Sequence, residues 1–363
     1  MNYRHAFHAG NHADVLKHLV LARIFALLAR KDAPLAYLDS HAGVGLYDLT
    51  GEQATRTGEW EQGIGRLWPL AEVPPPVADY LAFVRGLNPD GRLRFYPGSP
   101  ELARRATRPQ DRLHLNEKHP DDGRLLKANM ADDDRVAVHL GEGWHVPRAL
   151  MPTAEKRVVL LIDPPFEQAD ELSRCVDALK EALGRMRQTV GVIWYPIKAI
   201  RQLRRFHQAL AGCGAPKLLQ VELYVHPTDD PDRLNGSGLA IANPPWGLED
   251  ELRAVLPWLA TQLAQSAGGW ELNWLIEEQP AAETQPATAP KAGERSAAPA
   301  SSARPGQPAR TARGDKPAPA SKASAGPDRA PKAGQRSGTP SAGSKTDGRA
   351  NKPGASRGKP ARG

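Results

Sequence analysis

A chain of 363 residues with a formal net charge of +7 is long enough for one large domain or two. The charge is uneven: residues 280–363 hold 16 Lys+Arg against 5 Asp+Glu, or +11, which leaves 7 − 11 = −4 for residues 1–279. A chain-wide electrostatic argument for a polyanionic partner is therefore excluded for the part that can fold. Residues 280–363 contain no aromatic residue and no Leu, Ile, Val, Met or Cys, so they cannot bury enough apolar surface to offset their ordering entropy. They read as a disordered basic tail behind a domain spanning 1–279. Cys175 and Cys213 fit neither a disulfide framework nor a metal site and suggest a reducing cytosol. The first residues lack a signal-peptide core, and no run approaches the ~18 apolar residues of a membrane span. The expectation is a cytoplasmic chain that does not enter membranes.

The N-terminal stretch carries His5, His8, His12 and His18. His8 and His12 are four apart, but no glutamate of a His-Glu-x-x-His helix and no cysteine accompanies them, so no metal is expected. Asn11 followed by Asp14 predicts a capped helix running to about Arg30, with Leu16, Leu19, Val20, Ile24, Leu27 and Leu28 as its apolar stripe. Lys17 and His18 fall off that stripe and read as solvated surface.

Leu35–Asp39 is the first strand. It leads into Ser40-His41-Ala42-Gly43-Val44-Gly45, a glycine-rich turn of the kind that lets a nucleoside cofactor approach the backbone. Residues 46–98 break the α/β rhythm with helical patterns near 57–68 and 77–87, and read as a helical insertion on the sheet. Ser99 before Pro100 predicts a helix N-cap. Strands follow at Arg112–Glu117, Val136–Leu140, Arg157–Ile162, Val190–Trp194, Leu218–Leu223 and Leu239–Ala242. Seven strands with intervening helices predict a Rossmann-like α/β fold with a mostly parallel sheet. Acids recur at successive strand ends: Asp39, Glu117, Glu142 and Asp163. Four acceptors on one sheet edge suit a nucleoside, which offers ribose hydroxyls and an exocyclic amine as donors.

The strand Arg157–Ile162 ends in Asp163-Pro164-Pro165-Phe166. Two prolines cannot continue a ladder, and Asp163 before a proline is pushed out of helical geometry. A carboxylate, a carbonyl without a backbone partner and a flat ring thus sit within four residues. An exocyclic amine on a planar base needs this set: two acceptors for its N–H groups and a ring to stack on. Asn243-Pro244-Pro245-Trp246 offers the same pattern. If its strand is antiparallel, however, Asn243 falls on the opposite sheet edge as an ordinary turn, with Trp246 packing near the next helix.

This order of motifs resembles a class I S-adenosylmethionine-dependent methyltransferase of the adenine-N6 type. Tyr3-Arg4-His5, the block Phe7 to His18, Leu38-Asp39-Ser40-His41-Ala42-Gly43, Tyr96-Pro97-Gly98-Ser99-Pro100 and Leu161-Ile162-Asp163-Pro164-Pro165 are similar to the RlmJ family of 23S ribosomal RNA adenine-N6 methyltransferases. The resemblance covers roughly residues 1–279. It implies that His18, His41, Ser99, Glu117, Glu142, Gly143 and Asp163 contact S-adenosyl-L-methionine, and that Asp163 also serves the target amine. It implies substrate roles for Tyr3, His5 and Lys17, with Phe166 as the stacking ring. In two places the chain departs from the family pattern: Glu142 stands where Asp is usual, and Phe166 where Tyr is usual. The expected substrate is free or early-assembly 23S ribosomal RNA, methylated by a monomer. A DNA adenine methyltransferase, a glutamine methyltransferase and a catalytically silent RNA-binding protein are the alternatives. No separate DNA-recognition domain is evident. A glutamine enzyme would carry Asn before the prolines, and a silent scaffold has no need of four acids on one edge.

Overall fold

The computed structural model describes residues 4–277 except 199 and 229. Tyr3 and the basic segment 280–363, with the disorder expected of it, lie outside the described residues. The strands are β1 (Leu35–Asp39), β2 (Leu46–Asp48), β3 (Phe95–Pro97), β4 (Arg112–Glu117), β5 (Val136–Leu140), β6 (Arg157–Ile162), β7 (Val190–Ile197), β8 (Leu218–Tyr224), β9 (Gly236–Ala242) and β10 (Gly269–Ile276).

Eight of them form one sheet in the order β10-β8-β9-β7-β6-β1-β4-β5. The strands β5, β4, β1, β6 and β7 pair in parallel, while β9 is antiparallel to both β7 and β8, and β10 is antiparallel to β8. All seven expected strands are present in a mostly parallel α/β sheet. The eighth, β10, sits at the edge with only Leu272 buried, which explains its faint sequence signal. The pairing of β2 with β3 brackets the insertion, adding two strands where only helices were expected. Three residues each are too short to carry a period-2 pattern, and Tyr47 opposite Tyr96 carries the pairing into the core.

Alternation along the central strands feeds two cores. In β6, Val159 and Leu161 join one cluster while Val158, Leu160 and Ile162 join the other. The first core is roofed by the helices His12–Ala29, Pro75–Arg85 and Leu248–Leu263, the second by Glu171–Arg185 and Ile200–Ala211. The helix His12–Ala29 is capped as expected, Asn11 accepting from the backbone N–H groups of Ala13 and Asp14 at 3.0 Å each. Gly10 precedes it at φ +80°, and its carbonyl accepts from Ile64 N at 2.8 Å, tying the N-terminal turn to the insertion. This helix is buried on nearly all sides; only Ala26, Leu28 and Ala29 escape. Arg23 ties it outward, its Nε 2.7 Å from Glu251 and its guanidinium also on Asp79. No helix among the described residues is long and apolar enough to cross a membrane.

Candidate active site

Because β1, β4, β5 and β6 are adjacent and parallel, their carboxyl ends share one edge of the sheet. Two cavities open there. One, of about 960 Å³, is bounded by the N-terminal turn, the Asp163 loop and the end of β7. The other is a narrow slot lined by His18, His41, Gly43, Ser99, Glu117 and Asp163. They share His5, Lys17, Asp163 and Pro165, so Asp163 stands at the junction.

The slot is built from buried polar groups. His18 is 1% exposed; its Nδ1 lies 2.9 Å from the Tyr96 hydroxyl, which in turn meets Tyr80, while its Nε2 has no partner among the described residues. Burial lowers the His18 pKa to about 3, so the ring is neutral. Glu117 accepts from Gly43 N at 2.9 Å and His119 N at 2.7 Å, which leaves lone pairs on both oxygens for a diol. Burial pushes its pKa up. His41 rests beside the Ser40 hydroxyl, and burial lowers its pKa to about 3. A buried orphan nitrogen, two glycines without side chains and an acid with spare acceptors fit an amino-acid-bearing nucleoside. The cap expected of Ser99 is not made. Gly98 is the N-cap, and the Ser99 hydroxyl donates instead to Asp39 at 2.7 Å, because a fully buried carboxylate needs donors.

Asp39 also takes the Tyr37 hydroxyl at 2.7 Å and His41 N at 3.2 Å, so it organises the slot from beneath. Burial raises its pKa to about 6 against those hydrogen bonds. A carboxyl raised on folding binds more protons folded than unfolded, so its contribution falls as pH rises from its unfolded pKa toward 6. Relative to the wild type, Asp39→Asn should therefore gain roughly 3 kcal/mol of stability between about pH 4 and pH 7. Urea unfolding of both proteins across that range checks it, and a pH-independent difference contradicts it.

Lys17 and His18 are 4% and 1% exposed, which overturns the reading of both as solvated surface. Lys17 Nζ lies 2.6 Å from Asp163 Oδ2 and 2.8 Å from Asp14 Oδ1. Asp14 Oδ2 continues the chain to His5 Nε2 at 2.9 Å and accepts from Gly10 N at 2.9 Å. Burial pulls the Lys17 pKa down, but the two carboxylates outweigh it and hold the ammonium above its ordinary value. Burial likewise pushes Asp14 up, and His5 and Lys17 bring it well below. Asp14 was legible only as a first-turn acid. Its spacing of three from Lys17 was the available signal for a pair.

Phe166 lines the large cavity at φ +53°, a conformation rare for an aromatic residue, and meets Trp194 edge-to-face at 5.4 Å. Trp194, which sequence reasoning saw only as a strand terminus, makes a second aromatic wall. Glu142 and Gly143 line neither cavity: Glu142 pairs with Lys118 at 2.6 Å, and a side chain at Gly143 would meet Ser40 O at 2.4 Å. Asn243 sits on the far edge, donating to Arg187 O and Thr189 O at 2.9 Å each, as β9 antiparallel requires. Trp246 does not pack on the next helix; it is 88% exposed, because the loop turns it outward at Gly247, φ +87°.

Residues 32–276 match the family model described as "RsmJ: Ribosomal RNA large subunit methyltransferase D, RlmJ". The ribosomal RNA large subunit methyltransferase J of Haemophilus influenzae is 40% identical over 280 residues, covering 77% of this chain and 100% of that protein. Its counterpart in Escherichia coli K12 is 40% identical over 279 residues, with the same coverage of 77% and 100%. A crystal structure of a Legionella pneumophila protein superposes with a TM-score of 0.69 at 32% identity, covering 73% of this chain and 98% of that one. Sharing sequence along the whole length of two curated relatives, and fold with a third, this chain belongs to the RlmJ family of ribosomal RNA large subunit methyltransferases.

Proposed function

We propose that the chain methylates the N6 exocyclic amine of a specific adenine in 23S ribosomal RNA, using S-adenosyl-L-methionine held in the narrow slot. The observation that carries this reading is the position of Asp163 where the slot meets the large cavity, within four residues of an aromatic ring. His18, His41, Ser99, Glu117 and Asp163 would hold the cofactor. Glu142 and Gly143 belong to the same edge, Gly143 supporting the turn at Ser40 and His41. When bound, the cofactor supplies an electrophilic methyl group.

The chain's own residues do the rest. Asp163 Oδ2 is held by Lys17, while Oδ1 has no hydrogen-bond partner among the described residues and is left to accept one N–H of the amine. The carbonyl of Pro164 takes the other, being followed by a residue with no N–H to compete. Two acceptors localise the nitrogen lone pair, and Asp163 is the chain's acceptor for the proton shed after transfer. Lys17 fixes the carboxylate beside the base. Catalysis is then positioning and acceptor placement in a partly dry site. The base must leave its stack, which is least costly in exposed or early-assembly RNA.

Phe166 is the stacking ring. Phe166→Leu should cost ~1–3 kcal/mol of RNA binding, the worth of one base–aromatic stack, while cofactor binding persists and Phe166→Tyr keeps activity. Equal behaviour of Leu and Tyr in a filter-binding and turnover assay would remove stacking from this position. The function itself is tested by transfer of labelled methyl from the cofactor to unmodified 23S RNA, duplex DNA and protein in parallel. Label in the RNA supports the reading, and label confined to DNA or protein overturns it.

A further inference from the structure

His12 opens the long helix and lines the large cavity, yet it has no role in the chemistry at Asp163. It is 5% exposed, and neither ring nitrogen bonds to a described residue; Nε2 is buried and unpartnered. A buried polar atom without a partner costs stability, so a partner is expected from outside the fold. Around it the cavity is polar. His226 is held by the Ser266 hydroxyl at 2.7 Å, Glu59 takes the Asn11 amide at 2.9 Å, and Gln265 lines the same wall.

The distance suits a second nucleotide. His12 precedes Lys17 by five residues on one helix, which is about 7.5 Å along the axis at 1.5 Å per residue. Lys17 sits on Asp163, and His12, Lys17 and Asp163 all line the same large cavity, so a chain entering it to present an amine to Asp163 also passes His12. A cavity of about 960 Å³ also exceeds what one flipped base fills.

We propose that His12 is a specificity-determining residue whose imidazole hydrogen-bonds the base of the nucleotide adjacent to the target adenine. This rests on the RNA-methyltransferase reading and deepens it. Burial lowers the His12 pKa to about 4, so the ring is neutral and offers one donor and one acceptor. A neutral ring suits a base edge; a phosphate would ask for a cation.

The test uses His12→Phe, which keeps the ring's shape but removes both nitrogens, and His12→Gln, which restores a donor and an acceptor. The probe is a short RNA spanning the mapped methylation site, with the nucleotides on either side of the target replaced in turn. Expected for Phe is a melting temperature equal to or above wild type, unchanged cofactor affinity, and a KM for RNA raised roughly tenfold, the loss of about one hydrogen bond. The kcat at saturating RNA should stay the same, and the preference among neighbouring nucleotides should collapse. Gln should recover part of that preference. Unchanged KM and preference in Phe overturn the inference, as does a fall in melting temperature in both variants, which would make His12 structural. Loss of affinity cured by a 2′-deoxy neighbour, whatever its base, would assign the contact to the ribose and also overturn it. RNA binding by anisotropy reads the neighbour preference without turnover, so a failure to methylate adenine would be seen separately.

Discussion

Asp163→Ala is expected to lower methyl transfer by about 10²–10⁴-fold, the usual cost of removing a positioned proton acceptor. The loop it occupies lies past the end of β6, and Lys17 keeps Asp14 at 2.8 Å as a counter-charge, so the melting temperature should change little. Cofactor affinity should fall as well, because the same carboxylate borders the slot. Asn243→Ala is the matched control: the other acceptor-Pro-Pro-aromatic loop lies on the opposite sheet edge and should keep full turnover. Transfer by Asp163→Ala within tenfold of wild type, measured with saturating RNA and cofactor, contradicts the assignment.

Lys17→Met should have the largest effect on the fold. It leaves Asp14, 1% exposed, and Asp163 as neighbouring carboxylates without the cation between them. Breaking a buried pair from one side costs about 3–5 kcal/mol, far more than the pair is worth intact. For a domain of this size that corresponds to a melting temperature lower by on the order of 10 °C. The pH dependence has a definite sign. Burial pushes Asp14 up and Lys17 is one of the cations that bring it down, so without Lys17 the folded protein holds a proton there more readily. The stability defect should therefore shrink as pH falls from neutral. Asp14→Asn in the Lys17→Met background should recover most of the loss. A single variant as stable as wild type, or a double variant no better than the single, would mean that the ammonium does not hold this corner together.

The strand-end chemistry was legible because it is local. An apolar or alternating run followed by an acid, glycines or prolines marks a parallel strand and its ligand-binding loop, and β1, β4, β5 and β6 announced themselves in this way. The edge strand β10 did not, since a half-exposed strand need not alternate cleanly. Lys17 and His18 were misread for a different reason. Helical periodicity assumes one buried stripe, whereas the helix His12–Ala29 is enclosed by the sheet, the insertion and the C-terminal helix together. Lys17 is tolerated inside because two carboxylates meet it, and one of them, Asp163, lies 146 residues away. No local pattern carries that information. Ser99 shows the same limit on a smaller scale: the residue order fits a cap, and a buried acid 60 residues distant takes the hydroxyl instead.

The most direct measurement is nucleoside analysis by mass spectrometry of unmodified 23S RNA after incubation with the protein and S-adenosyl-L-methionine carrying a heavy methyl group. Expected is heavy N6-methyladenosine at one adenine per RNA molecule, absent with Asp163→Ala and retained with Asn243→Ala. A heavy methyl on a ring carbon, on a ribose hydroxyl or on another base would contradict the assignment of Asp163 and Pro164 as acceptors for an adenine amine.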